Sequence, residues 1–202
     1  MFVQVIQGQV ADAARLRARL DAWLTDLAPG AQGWLGSTGG VTADGRAVML
    51  ARFESAEAAQ ANSDRPEQGA WWAETASVFD GEPTFKNSQT VDADTPGDPE
   101  QAGFVQIMQG RSSDPERARA LMAEDDTDWA AFRPDILGTL SIGHDDGEWT
   151  MAIYFTSEAE AREGERKEPP PDVAAMMKEM DSLSVGETTF LDLTDPWLSS
   201  PG

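Results

Sequence analysis

The sequence predicts an α+β protein made of two tandem ferredoxin-like repeats, each running strand, helix, strand, strand, helix, strand. Three observations carry this reading. The opening Phe2-Val-Gln-Val-Ile-Gln-Gly8 returns as Phe104-Val-Gln-Ile-Met-Gln-Gly110. The register then holds without a gap through Asp12/Asp114, Arg15/Arg117, Leu35-Gly36/Leu137-Gly138, Asp44-Gly45/Asp146-Gly147 and Phe53/Phe155. After that it slips, so that Gly81-Glu82-Pro-Thr-Phe85 matches Gly186-Glu187-Thr-Thr-Phe190, which places a short insertion, read as a loop, around Pro169-Pro170-Pro171. A period of about a hundred residues is domain-sized, far beyond the roughly 20 to 50 of solenoid repeats. The predicted divisions are a first repeat over 1–91, a linker over 92–102, a second repeat over 103–198 and a tail over 199–202.

Within the first repeat, residues 2–7 form a short, partly β-branched apolar run bounded by Gly8, as expected for a strand buried on both faces apart from its glutamines. Asp12 caps a helix whose apolar positions Leu16, Leu20, Trp23, Leu24 and Leu27 recur at helical spacing, and Pro29-Gly30 stops it. A second strand over 33–40, a turn at Asp44-Gly45 and a third strand over 47–54 make a hairpin. Ser55 opens the second helical region, which is interrupted near Asp64-Arg65-Pro66 and resumes through Trp71-Trp72 to Phe79. Residues 82–91 supply the fourth strand. The second repeat has sharper start signals: Asp114-Pro115-Glu116 gives a cap, a proline in the first turn and an acid to meet the helix dipole, and Ser157-Glu158-Ala-Glu160 opens its second helix. Asp92 to Ala102, rich in Asp, Pro and Gly, reads as linker. The tail shows no element, although Trp197 is expected to pack.

Composition narrows the chemistry. The net charge of −21 disfavours nucleic acid and anionic membranes as partners, and an acidic excess is ordinarily a solubility device. No cysteine is present, which excludes disulfides, thiolate metal sites and thiol nucleophiles. A single histidine cannot build a multi-histidine zinc site, and no phosphate-binding glycine loop occurs. No signal peptide or membrane-spanning run is expected, so the default is a cytoplasmic protein.

The element order, the opening strand, the hairpin and an Asn-then-Trp pattern in the second helical region (Asn62 with Trp71 or Trp72) resemble the dimeric α+β barrel superfamily, which includes small antibiotic-biosynthesis-type monooxygenases, in a tandem fused form. The resemblance covers residues 2–91 and 104–198. It implies that the repeats pack as a pseudo-dimeric α+β barrel, that the chain is a monomer with an internal pseudo-dimer, and that ligands lie between a repeat's helices and its own sheet. It also implies roles: Asn62 would polarise a carbonyl and Trp72 would stack on an aromatic substrate. Doubled versions of this fold in dye-decolourising peroxidases and chlorite dismutases bind haem through a histidine of the second half. That makes His144 a formal candidate, although its place in Gly143-His-Asp-Asp-Gly147, beside a hairpin turn, reads as exposed surface. No cofactor or metal is expected.

The repeats differ where a pocket would be. Asn62, Arg65, Trp71 and Trp72 correspond to Gly164, Lys167, Met176 and Met177, so one repeat alone combines two indoles, an amide and a guanidinium in a short span. With Arg52 on the third strand, these five residues form the candidate ligand site. The competing reading makes the tryptophans core anchors, Asn62 a helix interruption and Arg52 a partner of Glu54 or Asp64. Gln4, Gln7, Gln106 and Gln109 occur in both first strands and read as structural amides rather than catalytic ones. Trp23-Leu24 is replaced by Asp125-Asp126, which predicts either an early helix stop or a cleft built with Trp129, Arg133, Asp135 and Tyr154. Two functions follow: a binding protein for an apolar or aromatic small molecule, or a cofactor-independent monooxygenase acting on an aromatic, polyketide-like substrate that itself activates oxygen.

Overall fold

A computed structural model describes residues 1–201. They fall into two compact units, Met1–Val91 together with the residues from Asp195 on, and Asp92–Thr194.

The first unit runs β1 (Phe2–Gln9), α1 (Ala13–Asp26), β2 (Trp34–Val41), β3 (Arg46–Phe53), α2 (Ala56–Ser63), α3 (Pro66–Ala76) and β4 (Thr84–Ser88). Local chemistry sets these boundaries. Asp12 accepts a hydrogen bond from the Arg15 amide at 2.9 Å, and Ser55 accepts one from the Ala58 amide at 3.1 Å, each satisfying a helix-start donor. Pro66 forces the break between α2 and α3 because it cannot donate into a continuing helix. Antiparallel pairing places Gln4 opposite Ala51 on one side and Asn87 on the other.

The second unit repeats the plan with β5 (Thr90–Asp94), β6 (Phe104–Arg111), α4 (Pro115–Glu124), α5 (Trp129–Phe132), β7 (Ile136–Gly143), β8 (Glu148–Phe155), α6 (Glu158–Gly164), α7 (Pro171–Leu183) and β9 (Thr189–Leu193), followed by β10 (Trp197–Ser199). Asp114 and Ser157 cap α4 and α6 as Asp12 and Ser55 cap their counterparts. The proline-rich insertion falls between α6 and α7, where a longer loop absorbs it.

Sheet order is β10-β2-β3-β1-β4 in the first unit and β5-β7-β8-β6-β9 in the second. The four inner-plan strands follow the same ferredoxin-like order in both. The fifth strands correct the expected boundaries. The stretch 92–102 is not plain linker, because Asp92–Asp94 complete β5 at the edge of the second sheet. Residues 195–198, expected within the second repeat, belong to the first unit through β10. Each sheet therefore gains an edge strand from the chain that follows the other repeat. Both sheets are buried on both faces in part: Val3, Val5, Val48 and Leu50 are inaccessible on one face of the first, while Ile6, Met49 and Phe53 are buried on the other. No helix among the described residues is long and apolar enough to cross a membrane.

Candidate functional site

A cavity of about 370 Å³ lies in the first unit, with walls from α1, α2 and α3 on one side and the sheet on the other. Strand alternation decides which sheet residues reach it: Gln4 and Ile6 from β1, Met49, Ala51 and Phe53 from β3, Phe85 from β4 and Trp197 from β10. The helices contribute Leu20, Trp23, Leu24, Ala59, Asn62, Gln68, Trp71 and Trp72.

The lining is mainly aromatic and its rings form a continuous series. Trp34 meets Trp23 edge-on with centroids 5.1 Å apart, Trp23 lies 6.3 Å from Trp71, Trp71 lies 6.0 Å from Trp72, and Trp72 meets Phe85 edge-on at 5.1 Å. Such tilted and edge-to-face contacts are favoured by the ring quadrupoles. Three of the indole N–H groups are committed to the protein. Trp23 Nε1 donates to Gln68 Oε1 at 2.6 Å, Trp34 Nε1 to Ser37 Oγ at 3.1 Å, and Trp71 Nε1 to the Arg19 carbonyl at 2.9 Å. These rings are therefore walls rather than hydrogen-bonding groups for a guest.

Asn62, on α2, is buried against the cavity. Its Oδ1 accepts from Arg65 Nη1 at 2.9 Å. Because a guanidinium has donors only, the amide orientation follows: the oxygen faces Arg65 and Nδ2 remains the group Asn62 can offer. Arg65 also donates from Nη1 to the Leu27 carbonyl at 3.1 Å and from Nε to Glu67 at 3.0 Å, and it does not line the cavity. The Glu67 carboxyl is held below its usual range by its own helix-start amide and by Arg65. Gln4, although read as structural, also reaches the cavity, where its Nε2 donates to Asn87 Oδ1 at 3.2 Å.

Of the five predicted site residues, the structure brings Asn62, Trp71 and Trp72 together in the cavity wall. Arg65 stands behind Asn62. Arg52 lies on β3 between Ala51 and Phe53, both of which line the cavity, so alternation turns it to the opposite face. Sequence reasoning missed Trp34, Phe53, Phe85 and Trp197 as lining residues. Strand alternation from Gln4 and Ile6 would have found the β3 positions, since their pairing partners share a face.

In the second unit the corresponding groups serve structure. Helix α4 stops at Glu124, and the Asp125 carboxylate accepts from the Thr127 amide at 3.1 Å and from Trp129 Nε1 at 2.5 Å, so the early stop, not a cleft, is what Asp125 provides. Burial alone would raise the Asp125 carboxyl, but the Thr127 and Trp129 hydrogen bonds outweigh it and hold it below the usual range. Arg133 and Asp135 form a buried ion pair at 2.7 Å, with the guanidinium 5.7 Å from the Phe155 ring centre. His144 is half-buried rather than exposed, and its Nε2 lies 3.0 Å from Thr150 Oγ1, which also accepts from Gln109 Nε2 at 3.1 Å. Among the described residues no cluster of three or more His, Asp or Glu side chains could hold a metal ion.

No protein-family profile matches the sequence, and no curated protein matches it either. Solved structures do match along the whole chain. A candidate monooxygenase from Fusobacterium nucleatum superposes with a TM-score of 0.77 at 8% identity, covering 100% of this chain and 94% of its own. One from Lactobacillus acidophilus gives 0.74 at 12% identity, covering 98% and 99%. An anthrone oxidase-like protein gives 0.59 at 12% identity, covering 98% and 93%. At these identities the likeness is one of fold, and the chain has the α+β, ferredoxin-like fold of these monooxygenase-like proteins over its full length.

Proposed function

We propose that the first unit binds a flat, apolar or aromatic small molecule that carries a carbonyl or phenolic oxygen, and that no cofactor takes part. The observation that carries this is the cavity lining: five of the chain's seven tryptophans, Trp23, Trp34, Trp71, Trp72 and Trp197, surround one space between helices and sheet. A mostly apolar enclosure with few convergent polar groups is the ordinary form of a small-molecule site. Asn62 supplies the polar contact. Held by Arg65 at its oxygen, it presents Nδ2 as a donor, so the guest places an acceptor there. Arg65 positions Asn62, and Arg52 takes no part.

Binding without turnover is favoured by the scarcity of acid-base groups: among the lining residues only Arg17 and Asp21 carry an ionisable side chain, and both sit on α1. The second reading is a cofactor-independent monooxygenase acting on an aromatic, polyketide-like molecule. It is supported by the fold shared with monooxygenase candidates and an anthrone oxidase-like protein, and by an aromatic lining that would shed water around a reacting carbanion. Native mass spectrometry of the purified protein, followed by incubation of any bound species under oxygen, separates the two. An unchanged aromatic guest supports binding, and an oxygenated product supports the enzyme. For the site itself, Asn62→Ala should weaken binding of anthraquinone, read by tryptophan quenching, by about two- to tenfold, the worth of one net hydrogen bond. Unaltered affinity in a folded Asn62→Ala protein removes the contact.

We infer also that the protein works as a monomer, because the chain already carries two copies of the plan, so the partner that a single repeat would recruit by dimerising is present in the same chain. A tight dimer in sedimentation at micromolar concentration would overturn this.

A further inference from the structure

The residues that follow the second repeat return to the first unit and complete its cavity. Strand β10 pairs antiparallel with β2 over three positions, Trp197 opposite Gly39, Leu198 opposite Thr38 and Ser199 opposite Ser37. Directly opposed residues project to the same face, and Gly39 is part of the cavity lining, so Trp197 projects into the cavity wall as well. Gly39 carries no side chain, and a Cβ added there would stand 3.2 Å from Met49 Cγ, so this position is closely packed against β3. A second glycine admits the strand's backbone: at Gly36, where φ is +129°, an added Cβ would stand 2.7 Å from the Ser199 carbonyl oxygen. Gly36 on β2 therefore leaves room for the backbone of β10.

Arg17 on α1 fastens the segment. Its guanidinium lies 5.4 Å from the Trp197 ring centre and reaches Asp195 at 3.5 Å, so one side chain ties the helix layer to both ends of the approach to β10. Trp197 itself is only half-buried and packs at the margin of the cluster that includes Ile6, Leu16 and Phe79. It is not a central core residue. Arg17, which holds it, sits near the start of α1, whereas Asn62 is tied through Arg65 to Leu27 just past the end of that helix, which sets Trp197 and the α2 wall toward opposite ends of the cavity; β10 itself is a three-residue edge strand that few hydrogen bonds retain. The corresponding edge strand of the second sheet, Thr90-Val-Asp-Ala-Asp94, brings no aromatic ring.

We propose that Trp197 is the size-determining wall of this cavity: the ring on β10 fixes how many fused rings a guest may have, and Arg17 holds that wall in place. The inference rests on the reading of the cavity as a site for flat aromatic molecules, and adds which residue sets the limit. A guest anchored at Asn62 extends toward β10, and the indole face ends its path. Shortening the ring lengthens the site without altering the anchor. Specificity then takes the form of a steric limit, in which a pocket rejects what is too long rather than selecting by extra hydrogen bonds.

The test measures quenching of tryptophan fluorescence by naphthoquinone, anthraquinone and naphthacenequinone, a series of two, three and four fused rings. The readout survives the substitution, because four lining tryptophans remain in Trp197→Ala. Wild-type protein should bind the smaller quinones and discriminate against naphthacenequinone. In Trp197→Ala the affinity for naphthacenequinone relative to naphthoquinone should rise by at least about tenfold, with Trp197→Phe between the two. Arg17→Met, which frees the wall without removing it, should raise the same ratio by a smaller factor, about threefold. Should circular dichroism show Trp197→Ala unfolded, Trp197→Leu carries the same measurement. An unchanged affinity ratio in a folded variant, with the wild type binding, overturns the role of Trp197 and leaves the site standing. If none of the three quinones quenches the wild-type protein, the site itself fails and the size limit with it.

Discussion

The same point in the two repeats is furnished in opposite ways. In the first unit the α1–β2 connection carries Gly30, and a guanidinium from the helix side, Arg65, lies so near that a Cβ added to that glycine would be 2.8 Å from its Nη2. In the second unit the glycine is on the helix side, at Gly164, and the guanidinium comes from the connection, Arg133, which a Cβ at Gly164 would strike. One arrangement leaves Asn62 free to face a cavity. The other uses the room for an ion pair with Asp135. A shared backbone plan thus fixes where a pocket could be, and a few side chains on either side of one contact decide whether space or charge fills it.

Removing the charge in the second unit should produce the largest effect. Arg133→Met leaves the Asp135 carboxylate buried without its partner, and the urea midpoint should fall by an amount equivalent to about 3 to 5 kcal/mol. The double variant Arg133→Met/Asp135→Leu should recover most of that loss, since the uncompensated charge is gone. If the single variant is as stable as the parent, the ion pair is not what fills the second unit.

A matched pair of insertions sharpens the contrast further. Ala161 is inaccessible and packs with Phe104 and Phe155, so Ala161→Leu should overpack and cost about 1 to 3 kcal/mol. Its counterpart Ala59 borders the cavity, where added carbons meet empty space. Ala59→Leu should change the midpoint by less than about 0.5 kcal/mol while abolishing quinone quenching. Equal costs in the two variants would mean that the two repeats are packed alike.

The smallest effect concerns Asp125, which stands where the first unit has Trp23. Burial opposes it, yet its folded carboxyl titrates below the usual carboxylate range, because Thr127 and Trp129 donate to the charged form. A depressed folded value contributes stability above the unfolded value and loses it as pH falls through the folded one. Hydrogen exchange at the Thr127 amide should therefore accelerate, after correction for intrinsic rates, as pH falls below about 4, and Asp125→Asn should remove that dependence. A variant that keeps the same profile would assign the change to another carboxylate.

Much of this architecture was legible in the sequence because it is written in strong local signals. Asp12, Ser55, Asp114 and Ser157 cap helices by the same side-chain chemistry that makes them readable, and the hairpins announce themselves by Asp-Gly. The two exchanged strands were not legible. Thr90-Val-Asp-Ala-Asp94 is an edge strand that buries little, so its sequence is free to be polar; Thr90 and Val91 read as the end of the fourth strand and Asp92–Asp94 as linker. Trp197-Leu-Ser199 is too short to show any period. The site was legible as a cluster of residue types, Asn62 with Trp71 and Trp72, but not in its extent. Arg52 was drawn in by its charge, whereas the pleat, which turns every second residue away, was the feature that decided. Gln4 was set aside because it recurs in both repeats, yet the same amide meets Asn87 beside a cavity in one and Asp192 at 2.9 Å in the other.

The return of β10 to the first sheet also has a meaning in time. During synthesis the first repeat leaves the ribosome early and can fold while the rest of the chain is still being made. Its cavity, however, lacks a wall until Trp197 has emerged, more than a hundred residues after β2 was ready to receive it. A nascent or truncated chain that stops short of that tryptophan presents an open aromatic cleft in place of an enclosure. The proposed site is then complete only once the second repeat has been made, so that capture of a guest would report that synthesis has passed Trp197.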